Sequence, residues 1–251
     1  MPPASAQITA FRFDSLKVPV GRAFHYLKSN RDGTHPSLVS VYVRAVDRIE
    51  ALKWDSGGVS ATLVAATIDW TRFSPRRFEA FALERDQPEQ SRATLEVTGS
   101  SVRVSFVPDS AVTIRAWPWH SYDFDFASLS LVLPHRIDPR APFRFERLDV
   151  PADASGPLFR DLGEIRVSYA GSEQRLGAAT DRLTLTGPGL DDTEGQMWLD
   201  GKEGHIVEYQ IPIPDERGYR DGRLRLQRVD RMTPAQWNAF KGRSVGAPPR
   251  P

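Results

Sequence analysis

The sequence predicts a mainly β fold: an antiparallel meander forming a curved sheet or barrel in two similar halves, with a short central helix and a C-terminal helix. Three observations predict it. Apolar residues recur with a period of two over strand-length runs, as in Val39, Val41 and Val43. Those runs are rich in β-branched and aromatic residues and are punctuated by Gly, Asn and Asp turn signals. The chain contains no G-x-G-x-x-G fingerprint and no strand–helix alternation of the kind that builds a parallel α/β sheet.

The first half covers about 8–115. KVPVGRAFHYLKSN (17–30), SLVSVYVRAVDRIEALKW (37–54), VSATLVAATIDW (59–70), RRFEAFALER (76–85), RATLEV (92–97) and SVRVSFV (101–107) read as successive strands. Asn30-Arg31-Asp32-Gly33, Asp55-Ser56-Gly57-Gly58 and Thr98-Gly99-Ser100 separate them. The polar run Ser29–Pro36 reads as a tight turn, with a binding loop as its alternative.

A turn-helix segment, 116–142, joins the halves. It opens with AWPWHSYDFDFASLSLVL (116–133). A strand end at Trp117–Trp119 is expected to turn into a helix from about Phe124 to Leu133. Asp123 or Asp125 would be the N-cap, and Phe126, Leu129, Val132 and Leu133 the apolar stripe. Pro134 ends it. That stripe would cover the concave face of the sheet.

The second half, about 143–230, resumes the meander with FRFERLDV (143–150), LGEIRVSYAG (162–171), DRLTLTG (181–187), GQMWLDGKEGHIVEYQIPIP (195–214) and GRLRLQRV (222–229). Asp200-Gly201 to Glu203-Gly204 marks a hairpin turn inside the fourth run. Thr233 is an N-cap, Pro234 suits the first helical position and Gln236 the third, so a helix follows, with Gly242 as its stop. The chain reads as one β-rich domain, 1–251, with a disordered tail at 243–251.

Composition narrows the function classes. Thirty-three basic and 32 acidic side chains give a net charge of +1 and are interspersed, so no nucleic-acid footprint is present. The absence of Cys excludes disulfides, thiolate metal sites and a Cys nucleophile. No apolar run approaches the length of a transmembrane helix. Ala4-Ser5-Ala6 has the small-x-small form that precedes signal-peptidase cleavage, but no charged or apolar region stands before it; a flexible Ala/Pro leader is the alternative.

Several groups are candidates for chemistry. His120 beside Asp123 and Asp125 is the candidate acid–base set of a hydrolase or sugar-active enzyme, although no G-x-S-x-G elbow is present. Trp117, Trp119, Tyr122, Phe126, Leu129 and Leu133 are the candidate ligand-binding surface; the two Trp could equally stack on a sugar or fill a barrel end. The five His form no H-x-H or H-E-x-x-H pattern, so no metal is assigned. Asp191-Asp192-x-Glu194-Gly195 is a polar turn and Gly187-Pro188-Gly189 is not a phosphate cradle, so no cofactor is assigned. Lys53 and Arg residues around an apolar cavity could receive an acidic headgroup.

Two stretches carry a family resemblance: Tyr122-Asp-Phe-Asp-Phe-Ala-Ser-Leu-Ser-Leu-Val-Leu-Pro-His-Arg136, and Gly195-Gln-Met-Trp-Leu-Asp200 followed by His205-Ile-Val-Glu-Tyr-Gln-Ile-Pro-Ile-Pro214. Over about 18–230 the chain resembles an uncharacterised bacterial envelope family, domain of unknown function three thousand one hundred and eight. There a D-x-x-S-aliphatic helix joins two β meanders, and a G-x-x-W-x-D strand precedes a return strand. The family's tyrosine and glycine start is matched only in part, by Val20-Gly21-Arg-Ala-Phe24. The resemblance implies a curved sheet similar to the lipoprotein-carrier half-barrels, a periplasmic or envelope location and no known enzymatic activity. It supplies no catalytic residue.

The expected function is therefore a non-enzymatic cell-envelope binding or carrier protein whose curved sheet surrounds a lipid-like or other apolar ligand, with an envelope protein as a further partner. The alternatives are an assembly protein with a filled barrel and no ligand, and the His120 enzyme.

Overall fold

The computed structural model describes residues 9–55, 58–105, 110–150 and 159–246. The signal-like Ala4-Ser5-Ala6, the Ser56-Gly57 turn centre and the last five residues lie outside them.

A single curved, open sheet of 15 strands dominates the chain. The first meander comprises β1 (Arg22–Ser29), β2 (Ser37–Ala45), β3 (Arg48–Trp54), β4 (Ser60–Asp69), β5 (Ser74–Glu84), β6 (Gln90–Thr98), β7 (Ser101–Ser105) and β8 (Ser110–Thr113). After the two-residue β9 (Trp119–His120), the second comprises β10 (Phe143–Asp149), β11 (Arg160–Arg175), β12 (Ala178–Thr186), β13 (Gly195–Asp200), β14 (Ile206–Ile211) and β15 (Gly222–Arg231). The first meander runs outward from the centre and the second runs from the far edge back to it, so that the first strand pairs with the last: β1 lies antiparallel to β15, Phe24 opposite Val229. Among the described residues the outer edges are β8 and β9, and β9 pairs in parallel with β10. The sheet stays open rather than closing into a barrel, yet it curls far enough for the Trp119 amide to donate to Ser74 Oγ of β5 at 2.9 Å.

Period-two alternation sends one row of each strand into the concave core. Phe24 and Tyr26 of β1, Val39, Val41 and Val43 of β2, and Ile49 and Ala51 of β3 share that core. The intervening residues face outward, but in β1–β5 they are buried too. Ala23, Tyr42, Leu52, Ala61, Leu63 and Leu83 form a second cluster under Trp237 and Val245 of the C-terminal helix, α2 (Pro234–Gly246), the second helix of the chain. The helix starts as expected: Gln236 N–H donates to Thr233 Oγ1 at 3.2 Å and Thr233 N–H to Gln236 Oε1 at 2.8 Å, a capping box. It does not stop at Gly242. It runs on to Gly246, so 243–246 are helical and not part of a disordered tail, because Val245 is anchored in the outer cluster at 4% exposure.

The concave face is covered by residues 119–135. Helix α1 here is Ala127–Val132, followed by a 3-10 turn over Leu133–His135 that contains Pro134. The expected start near Phe124 with an Asp N-cap does not occur. Asp125 and Phe126 are both left-handed (φ 50 and 52), and Phe126 occupies the cap position without a side-chain hydrogen bond. The reason lies in the Asp125 carboxylate, which is held by two lysines as described below. The segment bridges both meanders: Phe124 meets Phe78 of β5 edge-on at 5.0 Å, and Phe126 meets Phe145 of β10 at 5.8 Å and Tyr209 of β14 at 6.1 Å.

Candidate functional site: a charged core and a cavity beside the central helix

Two regions beneath the sheet combine polar chemistry with shelter from water. The first is a buried charge cluster. Lys28 continues the inward row of Phe24 and Tyr26, and Lys53 the inward row of Ile49 and Ala51, so the pleat carries both ammonium groups to the concave side. Lys28 Nζ lies 2.5 Å from Asp215 Oδ2, 2.7 Å from Glu216 Oε1 and 3.4 Å from Asp125 Oδ1. Lys53 Nζ lies 3.2 Å from Asp125 Oδ2 and donates to the Asp123 carbonyl. Tyr209 donates its hydroxyl to Asp125 Oδ1 at 3.1 Å.

Burial is the largest influence on Lys28, Lys53, Asp123, Asp125, Tyr209 and Asp215. It would neutralise Lys28, but Asp125, Asp215 and Glu216 overcome it and hold the ammonium well above its ordinary range. Asp125 is likewise opposed by burial, yet Lys28 and Lys53 keep its carboxyl low. Asp215, where burial prevails over Lys28 and Lys53, is pushed up to about 6. Asp123, buried against Lys53, rises to about 7. A lysine locked in its charged form is not a nucleophile; the cluster ties the 123–125 turn to β1, β3 and the 215–216 loop.

A second polar anchor sits beside it. The fully buried Asp149, at the end of β10, accepts from Ser121 Oγ at 2.7 Å, from the Tyr122 amide at 2.9 Å and from the Asp123 amide at 3.0 Å. It also pairs with Arg147 Nε at 2.8 Å.

The candidate acid–base set is not assembled by this geometry. His120 is 0% exposed, and its Nδ1 meets Ser128 Oγ at 3.0 Å rather than a carboxylate. Burial alone lowers its pKa to about 3, so the ring is neutral. Asp125 is engaged by lysines, and Asp123 faces Lys53. His120 is wholly buried among the described residues, whereas acid–base work would need it open to solvent and beside a carboxylate.

The second region is a cavity of about 560 Å³ at the C-terminal end of α1. Its inner wall is Phe24, Val41, Val43, Ile49, Leu131, Leu133 and Leu199, each at most 5% exposed. Its rim carries Lys17, Arg22, Arg136, Lys202 and Arg231 against Asp181, Asp200 and Glu203. Leu16, 93% exposed, and Val20, 43% exposed, flank the mouth.

Of the expected ligand-binding residues, Leu133 lines this cavity. Trp119, Tyr122, Phe126 and Leu129 are buried in the concave core away from it, and Trp117 packs on the core's margin with the Arg72 guanidinium 4.4 Å above its ring. Lys53, considered above as a headgroup receptor, is instead satisfied inside the charge cluster. At the rim, Asp200, Glu203 and His205 offer ligand atoms within 4.8 Å of one another. Glu203 Oε2, however, already accepts from Arg22 Nη1 at 2.7 Å.

Sequence reasoning missed Lys28, Asp149, Asp215 and Arg136. Of these only Lys28 carried a usable signal, since counting by twos from Phe24 and Tyr26 places it on the apolar face.

No protein-family model matches the chain, so membership of the envelope family it resembles is not shown. No curated protein matches it in sequence. Among solved structures, similarity is found to a domain named for outer membrane lipoprotein sorting from Vibrio parahaemolyticus, at 8% identity and TM-score 0.22, covering 97% of each chain. It is also found to a DUF1329 family protein from Desulfovibrio piger ATCC 29098, at 9% identity and TM-score 0.22, covering 92% of this chain and 94% of that one. Superposition at that level does not establish a common fold.

Proposed function

We propose that this chain is a non-enzymatic binding or carrier protein of the cell envelope that holds a lipid-like or other apolar ligand beside the central helix. The observation that carries the reading is the cavity of about 560 Å³ between α1 and the concave face of β1–β3. Its volume falls within the roughly 300–1,000 Å³ of small-molecule sites, and its apolar inner wall beneath a charged rim suits a ligand with an apolar body. The exposed Leu16 and Val20 give an apolar ligand a path along the mouth.

Native mass spectrometry of gently purified protein, with extraction of bound small molecules, tests the reading. A stoichiometric apolar adduct that is lost in a Val43→Trp variant, whose indole fills the cavity, is the expected result. An adduct retained by that variant would place the ligand elsewhere, and failure of the wild-type protein to take up any long-chain compound would end the carrier reading. The envelope location rests on the resemblance alone and is tested by fractionating cells that make the natural protein.

A second reading, an assembly protein with a filled sheet, is favoured by one observation. Trp119, Tyr122, Phe126 and Leu129, at 1% exposure or less, leave no ligand space over the middle of the concave face.

A further inference from the structure

The cavity contains one feature that an apolar ligand does not need. Arg136 lines it, yet the residue is 6% exposed. Backbone contacts fix its position: Phe11 bridges to it from the N-terminal segment, and the Ile137 amide donates to the Ala10 carbonyl at 3.0 Å. Its guanidinium donates from Nη1 to the Pro139 carbonyl at 2.7 Å and from Nε to the Leu133 carbonyl at 3.4 Å, and it lies 5.6 Å over the Phe143 ring. Among the described residues it has no ion-pair partner. Asp181 and Asp138 act on it only at longer range, and burial, the larger influence, lowers it to about 10, so it remains charged at neutral pH.

A buried cation without a counter-charge is costly unless something else supplies one. The rim acids do not neutralise it: Glu203 pairs with Arg22 at 2.7 Å, Asp181 accepts from Ser172 Oγ at 2.7 Å, and Asp200 accepts from the Lys202 and Glu203 amides at 3.0 and 2.7 Å. Cations outnumber acids around the opening, which favours entry of an anion.

We infer that the cavity takes a single-chain amphiphile with an anionic headgroup, a carboxylate or a monophosphate, whose head meets Arg136 and whose tail lies along Val41, Val43 and Ile49. The inference rests on the carrier reading and adds the headgroup chemistry to it. A planar guanidinium suits both anions, because its fork matches two oxygens at once.

Equilibrium binding of four probes tests it: palmitate, hexadecyl monophosphate, hexadecanol as the uncharged chain of equal length, and inorganic phosphate as the head without a chain. Each is titrated into the wild type, Arg136→Gln and Arg136→Lys, with folding checked by thermal melting. The wild type is expected to prefer palmitate or the alkyl phosphate over hexadecanol by about tenfold or more, as a charge-assisted bidentate contact implies. Arg136→Gln should erase that preference, bringing palmitate and the alkyl phosphate down to the affinity of hexadecanol.

Equal binding of charged and uncharged chains by the wild type overturns the inference and leaves the carrier reading intact. Binding of inorganic phosphate as tight as that of the alkyl phosphate overturns the amphiphile and makes this a free-anion site. Failure of every chain probe to bind overturns the carrier reading as well. Should Arg136→Gln not fold, Arg136→Lys decides, since it loses the fork: a preference undiminished in it overturns the assignment to Arg136.

Discussion

Removing the Asp149 carboxylate should unpin the central segment from the sheet. Asp149 is 0% exposed and collects five donors: Ser121 Oγ at 2.7 Å, Arg147 Nε at 2.8 Å, and the amides of Tyr122, Asp123 and Val150 at 2.9, 3.0 and 3.2 Å. Arg147 is itself 3% exposed, with its guanidinium 5.2 Å over the Tyr122 ring. In Asp149→Ala every one of these donors loses its acceptor, and Arg147 becomes a buried charge whose remaining hydrogen bond is to the Gly189 carbonyl at 3.1 Å.

Breaking a buried pair from one side costs about 3–5 kcal/mol. The orphaned amides enlarge that figure only where water fails to reach them. At roughly 2–4 °C per kcal/mol for a domain of this size, Tm should fall by about 6–20 °C. Differential scanning calorimetry reads the shift, and a urea titration reads the free energy. The companion Asp149→Ala/Arg147→Met variant removes the uncompensated charge and should recover part of the loss. A single variant melting within about 2 °C of the wild type, or a double variant no better than the single, would refute the assignment of Asp149 as the anchor.

Acid should destabilise the fold through His120. Its folded pKa of about 3 lies below the unfolded 6.5 because burial excludes the proton. The stability this confers is complete above about 6.5, is lost as pH falls toward 3, and is on the order of 5 kcal/mol over that window. His25 and His135, both lowered to about 4 with burial as the main cause, steepen the same slope. Melting of wild type and His120→Gln across pH 7.5 to 3.5 should therefore show a shallower dependence in the variant, and identical slopes would sink the argument. Gly222→Ala should cost about 1–3 kcal/mol by overpacking, because the new methyl would sit 1.8 Å from the hydroxyl oxygen of the fully buried Tyr122. Adding Tyr122→Phe should relieve part of that cost, and strict additivity in the double-mutant cycle would show the contact to be absent. Trp237 stacks on Tyr42 at 5.0 Å and donates to Glu50 Oε2 at 2.7 Å, so Trp237→Ala should cost about 3–5 kcal/mol in a denaturant titration, whereas a change under 1 kcal/mol would mean that α2 is not anchored on the sheet.

Local chemistry was legible in the sequence. Val39, Val41 and Val43 announce an inward row, Asp200 to Gly204 announces a hairpin, and Thr233 with Gln236 announces a helix start, because each is decided by neighbours within a few residues. What was not legible depends on partners brought together by the sheet. Asp125 has the composition of an N-cap, but its carboxylate meets Lys28 and Lys53, and the backbone around it turns left-handed instead. Asp149 reads as the end of a strand and proves to be the acceptor for a turn 26–28 residues earlier. Gly242 reads as a stop, yet packing of Val245 against the outer face carries the helix past it. Alternation also understated burial in the first meander, since Tyr42, Leu52 and Leu63 look solvent-facing until α2 is laid over them.

The central seam has a consequence for how the molecule is made. During synthesis β1 emerges first and finds β2 at once, but its other edge waits for β15, which is translated after every other strand. Until then β1 presents an unpaired row of amides and carbonyls, flanked by apolar side chains on both faces, which is the kind of template that recruits other chains. Among the described residues of the finished protein, the sheet ends instead at the four-residue β8 and the two-residue β9. A nascent or truncated chain that ends before Gly222 should therefore be an aggregating species rather than a smaller soluble protein, and release of the last strand is the event that removes the hazard.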